Sequence, residues 1–394
     1  MRRRPGTKRR RGCLVIVCLA TAIAIFLYGR INYLAQPYCS WDLKCYRDIA
    51  AASPGIDPSI PGPFAFRLLG PYVVGLLPIP DPLAFYILAC ITSLVLAGSF
   101  YGFLRYWGLR SEAAALTVVL FVFSKWMLGY TVWDYFQIND LLSLVYVLAL
   151  VSALHKRAWV AFGLTMVVGA LTRETSLLMI PVALVYLAEK RTLRQDWWKA
   201  VLASLPGASC FVLLRLLIHP PEQITLIAGF LKYWHKLASL DTWLRLLIVA
   251  FIPVSLVPLV FWRETVGFCK TNKHLLVLGV LVLASTMFAE NNERLMAPAF
   301  LSFYPLIGTI IDRHLSRSRP TLWLLVAGSL ASTFHHRMGR YLLPGNRVTM
   351  AMSLGSLFVV TIAAFMLRRS ETRKQSNSGK GSARRASVAR GEDW

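Results

Sequence analysis

Twelve residues of this 394-residue chain have types and positions that could do chemistry. Asp42, Tyr46 and Asp48 lie in CSWDLKCYRDIAAA, and Arg67 opens the segment FAFRLLGPYVVGLLP. Lys125 stands inside an apolar run, and Asp134 and Asp140 flank the tight loop WDYFQIND. Arg173 and Glu174 are neighbours in GALTRETSLLMIP, and Asn291, Glu293 and Arg294 fall in FAENNERLMAP. A carboxylate beside a reacting group can move a proton. A guanidinium presents a planar fork that matches the oxygens of a phosphate. Taken singly, each residue also has an ordinary reading, as a solvated helix cap or a snorkelling side chain. As a set they are harder to dismiss, because five separate segments each contribute a carboxylate or an arginine and two place Arg beside Glu.

The elements that must position these residues are apolar helices. Hydrophobic residues make up 56% of the chain, above the roughly 45–50% of a soluble domain. Apolar runs of about 17–25 residues, the length that crosses a bilayer as a helix, recur from end to end. The pattern predicts an all-α integral membrane protein with about twelve transmembrane helices. They fall at 13–29, 82–104, 113–131, 139–155, 158–171, 175–188, 200–218, 243–261, 274–289, 295–311, 321–334 and 349–367. The first reads as a signal-anchor, since no small-residue cleavage site follows it. The domain organisation is then a basic tail (1–12), a single polytopic domain (13–367) and a basic, polar tail (368–394) expected to be disordered.

Orientation follows from lysine and arginine. The tails and the loops RYWGLR, HKR, EKRTLRQDWWK, WRETVGFCKTNK and DRHLSRSRP together hold 29 of the 43 basic residues. This predicts both termini in the cytoplasm, and the twelve chemistry-bearing residues then gather on the outer face. The net charge of +24 is explained by topology and by attraction to anionic lipid, so no nucleic-acid partner is expected. Two outer loops are long, 30–81 and 219–242. The segment 64–78 reads as interfacial or re-entrant. Ile224, Ile227, Leu231, Trp234 and Ala238 make one apolar stripe, as in a helix lying in the interface. No phosphate-binding glycine loop, metal-type Cys/His spacing or internal repeat is present. His335 and His336 read as solvated or headgroup-facing, and Cys39 and Cys45 leave a disulfide open. A phosphate held by arginine at the outer membrane surface, with a lipid tail below it, points to a polyprenyl-phosphate ligand.

The layout over 13–367 resembles the GT-C superfamily of integral membrane glycosyltransferases, which take sugar from polyprenyl-phosphate donors. Asp42-Leu-Lys-Cys-Tyr46-Arg-Asp-Ile49-Ala50 is similar to the D-E-x-x-Y motif of their long first outer loop, followed by an I-A pair. Leu43 stands where the second acid is usual, which leaves Asp48 as a stand-in. PFAFRLLGP, LTRETSLL and NNERLMAPAFLSFYPLIG look like later segments of such enzymes. The resemblance implies inverting transfer with Asp42 (or Asp48) as general base. Arg173, Arg294, Arg67 and Lys125 would hold the donor phosphate, and Glu174, Asp134, Asp140, Glu293, Asn291 and Tyr46 would orient the site. It implies a glycan, lipid or protein acceptor, the membrane lipids as surroundings, and an extracytoplasmic active site in a bacterial inner membrane. No cofactor is assigned, and a divalent cation is left open. Against this, Asp42 could simply be a first-turn acid complementing a helix dipole. The rival class is a transporter or flippase, which would place its charges near the midplane of broken helices.

Overall fold

The computed structural model describes residues 7–29, 41–221, 231–286, 292–314, 319–341 and 351–369. Among them the regular structure is entirely helical. The chain runs through α1 (Thr7–Tyr28), α2 (Trp41–Ala52), a 3-10 turn at Phe64–Phe66 and α3 (Leu69–Gly75). Then come α4 (Asp81–Tyr106) and α5 (Ser111–Val122). After α5 the path bends by 62° into a π-turn, Lys125–Gly129, which runs on into α6 (Tyr130–Trp133). Next are α7 (Ile138–His155), α8 (Trp159–Thr172), a 3-10 turn at Glu174–Leu178, α9 (Met179–Glu189) and α10 (Leu193–Leu217). The remainder is α11 (Leu240–Leu247), α12 (Val257–Val260), α13 (Trp262–Thr271), α14 (Lys273–Thr286), α15 (Asn292–Leu295), α16 (Phe300–His314), α17 (Arg319–Tyr341) and α18 (Ala351–Arg369).

Among the described residues six stretches are long and apolar enough to cross a bilayer: Arg10–Tyr28, Asp81–Tyr106, Ile138–His155, Leu193–Leu217, Glu293–His314 and Ala351–Arg369. The number rises to eight if each of two bent pairs, α5 with the π-turn and α6, and α13 with α14, counts as one span. The sequence reading counts twelve. The difference has identifiable sources. α8 and α9 have 14 and 11 residues. At 1.5 Å per residue they reach only about 21 and 17 Å, short of the roughly 30 Å hydrocarbon layer. The stretch 243–261 is not one helix. It divides into α11, a 3-10 turn at Val249–Phe251 and α12, because Pro253 and Pro258 remove backbone donors there. The segment 64–78 is likewise only a 3-10 turn and the seven-residue α3. Of the stretch 219–242, residues 222–230 lie outside the described part. Beyond them the amphipathic α11 leaves Leu240, Leu244 and Leu247 exposed. Its first turn is capped by the Ser239 hydroxyl, which accepts from the Thr242 N–H at 3.4 Å.

Aromatic packing joins the middle of the bundle. Phe100 of α4, Phe121 of α5 and Phe300 of α16 meet with ring centroids 5.1–5.3 Å apart, and Tyr304 adds its edge to Phe121. The outside is apolar too. Leu202, Leu205, Val212, Leu213, Leu216 and Leu217 line one exposed side of α10. A surface of this kind is stable against lipid and unstable against water.

The loops richest in Lys and Arg meet at one end of the bundle. Arg110 Nε donates to Asp312 Oδ1 (2.7 Å), the Tyr106 hydroxyl donates to the His155 carbonyl (3.4 Å), and Arg157 pairs with Asp196 (3.5 Å). His155 and His274 share a hydrogen bond (3.0 Å), and His274 Nδ1 meets Glu189 (2.8 Å). The 18-residue α7 carries this cluster away from its own first turn by about 27 Å. The acids and arginines singled out in the sequence lie at that opposite, first-turn end.

A glycine permits the π-turn to lie where it does. A β-carbon on Gly129 would fall 2.4–2.7 Å from the Tyr28 ring, whose hydroxyl donates to the Phe123 carbonyl at 3.2 Å. Gly129→Ala must displace that ring and the helix-end contact it makes. We expect a loss of about 1–3 kcal/mol, as for other overpacked cores, read as a lowered thermal midpoint of the purified protein. An unchanged midpoint would show that the turn moves freely.

Candidate active site

The site is assembled from the first turns of α2 and α7 and from short 3-10 and helical turns between the long helices. α2 turns Asp42 and Tyr46 inward on one face, since residues four apart share a side of a helix. Asp48 faces elsewhere and meets Lys44 at 3.9 Å, with 43% of its side chain exposed. The two acids that the sequence offers for one role therefore have different surroundings. Asp42 is 20% exposed, close to protein groups yet reachable. Its Oδ2 accepts from Gln137 Nε2 (2.6 Å) and from Arg294 Nη1 (3.3 Å).

Asp140, in the first turn of α7, ties the site together. It is buried and bonded to Arg173 Nη1, and Arg294 Nε stands 3.1 Å from its other oxygen. Next to it Asn139 braces the entry of the chain into α3: its Nδ2 donates to the Arg67 carbonyl (3.0 Å) and its Oδ1 accepts from the Gly70 N–H (3.2 Å). No side chain fits at Gly70, where a β-carbon would lie 2.6 Å from that same Oδ1. Arg67 is thereby fixed in the backbone, and its guanidinium reaches Glu174 Oε1 at 2.8 Å. Tyr46, fully buried, packs edge-on to Phe64 with centroids 5.5 Å apart.

The neighbouring Arg173 and Glu174 do not serve each other. Arg173 is extended and α8 ends on it, while Glu174 begins a 3-10 turn, so one reaches Asp140 and the other Arg67. The same division recurs at 293 and 294. Glu293 pairs with Arg245 of α11 (3.2 Å), and Arg294 turns to Asp42 and Asp140. Lys125 opens the π-turn with its ammonium 4.7 Å above the Trp126 ring. Asn291 and Cys39 lie outside the described residues, as do the side chains of His335 and His336. Sequence reasoning missed Gln137 and Asn139, which are uncharged, though both sit within WDYFQIND. It also missed Arg215, whose guanidinium lies over the Phe66 and Phe211 rings at 4.5 and 3.6 Å.

Asp42, Tyr46, Arg67, Asp134, Asp140, Arg173, Glu174 and Arg294 thus form one body of charge. Arg67 and Arg173 are buried, and the Nε of each has no hydrogen-bond partner. Buried donors without partners cost free energy until something accepts from them, and an anion is the natural acceptor. Desolvation raises the Glu174 carboxyl, but Arg67 and Arg173 more than reverse this and hold it down at about 2. Asp134, in the turn between α6 and α7, behaves oppositely. Desolvation lifts its carboxyl from 3.8 to about 6, only partly offset by Arg294 and by the Tyr130 hydroxyl that donates to it at 3.1 Å, with Asp42 and Asp140 adding to the rise. Among the described residues no group of three or more His, Cys, Asp or Glu is placed to hold a metal ion.

A solved membrane-protein structure shares this arrangement of helices. The solved structure that shows it is ArnT from Cupriavidus metallidurans in the apo state, with a TM-score of 0.53 and 15% sequence identity, covering 91% of this chain and 75% of that one. No family model and no curated protein sequence matches the chain.

The Asp134 shift has a stability consequence. Its folded-state carboxyl binds a proton more tightly than the unfolded one, so between about pH 4 and 6 the folded state holds the extra proton. Stability from this group is present below pH 4 and is lost as pH rises through about 6,. Asp134→Asn, which still accepts from Tyr130, should therefore stabilise the protein at pH 8 by on the order of 3 kcal/mol and have little effect at pH 4. Thermal midpoints at the two pH values measure this. A difference independent of pH would refute the shift.

Proposed function

We propose that the chain is an inverting membrane glycosyltransferase that moves a sugar from a polyprenyl-phosphate donor to a hydroxyl of a glycan, lipid or protein. The observation that carries this reading is the setting of Asp42. It is a reachable carboxylate, held on one oxygen by an amide and a guanidinium, among three buried arginines.

The residues have separate roles. Asp42 Oδ2 is occupied by Gln137 and Arg294, which leaves Oδ1 to take the proton from the acceptor hydroxyl. The acceptor oxygen bonds to the anomeric carbon as the bond from that carbon to the phosphate oxygen breaks. The electron pair leaves with the lipid phosphate, and configuration inverts. Charge growing on the departing phosphate needs donors already in place, and the partnerless Nε–H groups of Arg67 and Arg173 are such donors. Their carboxylate partners keep the guanidiniums aimed while the site is empty. Asp140 and Glu174 are thus orienting groups in this reading, and Tyr46 and Asp134 fill the wall between them. Glu293 acts at one remove, by tying α15 to Arg245 of α11.

The charged site lies at the end of the bundle away from the loops rich in Lys and Arg. By the positive-inside rule that end is extracytoplasmic, with both termini in the cytoplasm of a bacterial inner-membrane protein. The exposed leucines of α11 suit a helix lying in the interface beside the site, where a lipid-borne donor would arrive.

Two experiments test these points. Asp42→Asn should lower transfer by about 10²–10⁴-fold with normal insertion, while Asp48→Asn, whose partner is Lys44, should stay near wild type. Rates in vesicles supplied with lipid-linked sugar decide it, and a reversed ranking moves the base to Asp48. For sidedness, cysteines placed at 131–138 should react with an impermeant thiol reagent added to intact cells, and ones at 189–199 should not. Labelling in the opposite pattern would put the site in the cytoplasm.

A further inference from the structure

Gln137 is not among the charged residues that mark the site, yet it touches the central carboxylate. It sits in the turn before α7, which is closed by its own N–H donating to the Asp134 carbonyl at 2.8 Å. The residue is 2% exposed. One end of its amide lies 2.6 Å from Asp42 Oδ2. An ionised carboxylate only accepts, so that end must be the NH2 group. This fixes the other end. Oε1 is a buried acceptor with no hydrogen-bond partner, an arrangement that costs stability unless a ligand supplies the missing donor.

We infer that Gln137 is a substrate-reading residue: its NH2 group aims Asp42, and its amide oxygen accepts a hydrogen bond from a hydroxyl of the donor sugar. The inference rests on the glycosyltransferase reading and deepens it. Gln137 and Arg294 share Asp42 Oδ2. Gln137 therefore lies on the guanidinium side of the carboxylate, away from the oxygen left for the acceptor. On that side the sugar must hang between its phosphate and the base. A hydroxyl there is both a donor to Oε1 and a feature that differs between sugars. A site built to pair such a hydroxyl discriminates strongly against sugars that place it elsewhere.

The test uses the full-length protein in native membranes, which supply the acceptor, with four synthetic donors: farnesyl-phosphate esters of glucose, galactose, mannose and xylose. Each of the other three differs from glucose at a single carbon. Wild type should favour one of them by at least about tenfold. Gln137→Met keeps the volume and loses both polar contacts. It should lower kcat for the favoured donor by about ten- to a hundredfold and bring the four donors to within about threefold of one another. Gln137→Glu places a second carboxylate at hydrogen-bond distance from Asp42, so the two must share a proton. Its transfer should fall at neutral pH and recover in alkali, with the acid limb of the pH–rate profile moved upward. A packing role would move neither the donor ranking nor the acid limb. An unchanged ranking in Gln137→Met, or an unchanged acid limb in Gln137→Glu, overturns the inference and leaves the transferase reading intact. A wild-type protein that transfers from none of the four donors overturns both.

Discussion

One buried carboxylate holds the site together. Asp140 is 4% exposed and lies against the guanidiniums of Arg173 and Arg294, which come from the end of α8 and from α15. Removing a charge from water costs several kcal/mol, and only close partners repay it. The first turn of α7, the end of α8 and α15 are therefore obliged to meet. Once they do, Arg294 is within reach of Asp42, and Asn139 beside Asp140 seats the backbone of Arg67. Neutralising Asp140 would leave two buried cations facing each other, a loss of the kind that costs about 3–5 kcal/mol.

The same constraint accounts for where regular helix stops. The 3-10 turn at Phe64–Phe66, the π-turn at Lys125–Gly129, the 3-10 turn at Glu174–Leu178 and the four-residue α15 all lie near the charged body. Within a membrane protein, irregular backbone is tolerated where it is enclosed by protein or lines a polar space. In the middle of the bundle α4 and α7 run unbroken, and the packing there is aromatic and aliphatic.

Much of this was legible in the sequence. The long apolar runs that became α4, α7 and α10 could be read directly, and charges stranded between such runs identified most members of the site. Spacing put Asp42 on the helix face of Tyr46 but left the choice between Asp42 and Asp48 open. Partner choice was not legible. It depends on the extended backbone at Arg173 and on how α15 turns. Gln137 and Asn139 were silent because an amide leaves no mark on a charge pattern. The twelve spans read from the sequence include short apolar helices such as α8 and α9, which have the composition of a span without its full length.

The splaying of adjacent Arg and Glu residues bears on how this site can change over generations. At 173–174 and 293–294 each residue answers to a partner more than thirty positions away. Drift at one position is thus compensated on a different segment, never next door. In related chains, substitutions should co-occur between 67 and 174, 140 and 173, and 245 and 293, with no such coupling across either neighbouring pair. Exchanging the two residues of an Arg-Glu dipeptide, which leaves composition and net charge untouched, breaks two contacts at once. Such a site is conserved as a lattice of distant pairs, and short local motifs will understate how closely two of its members are related.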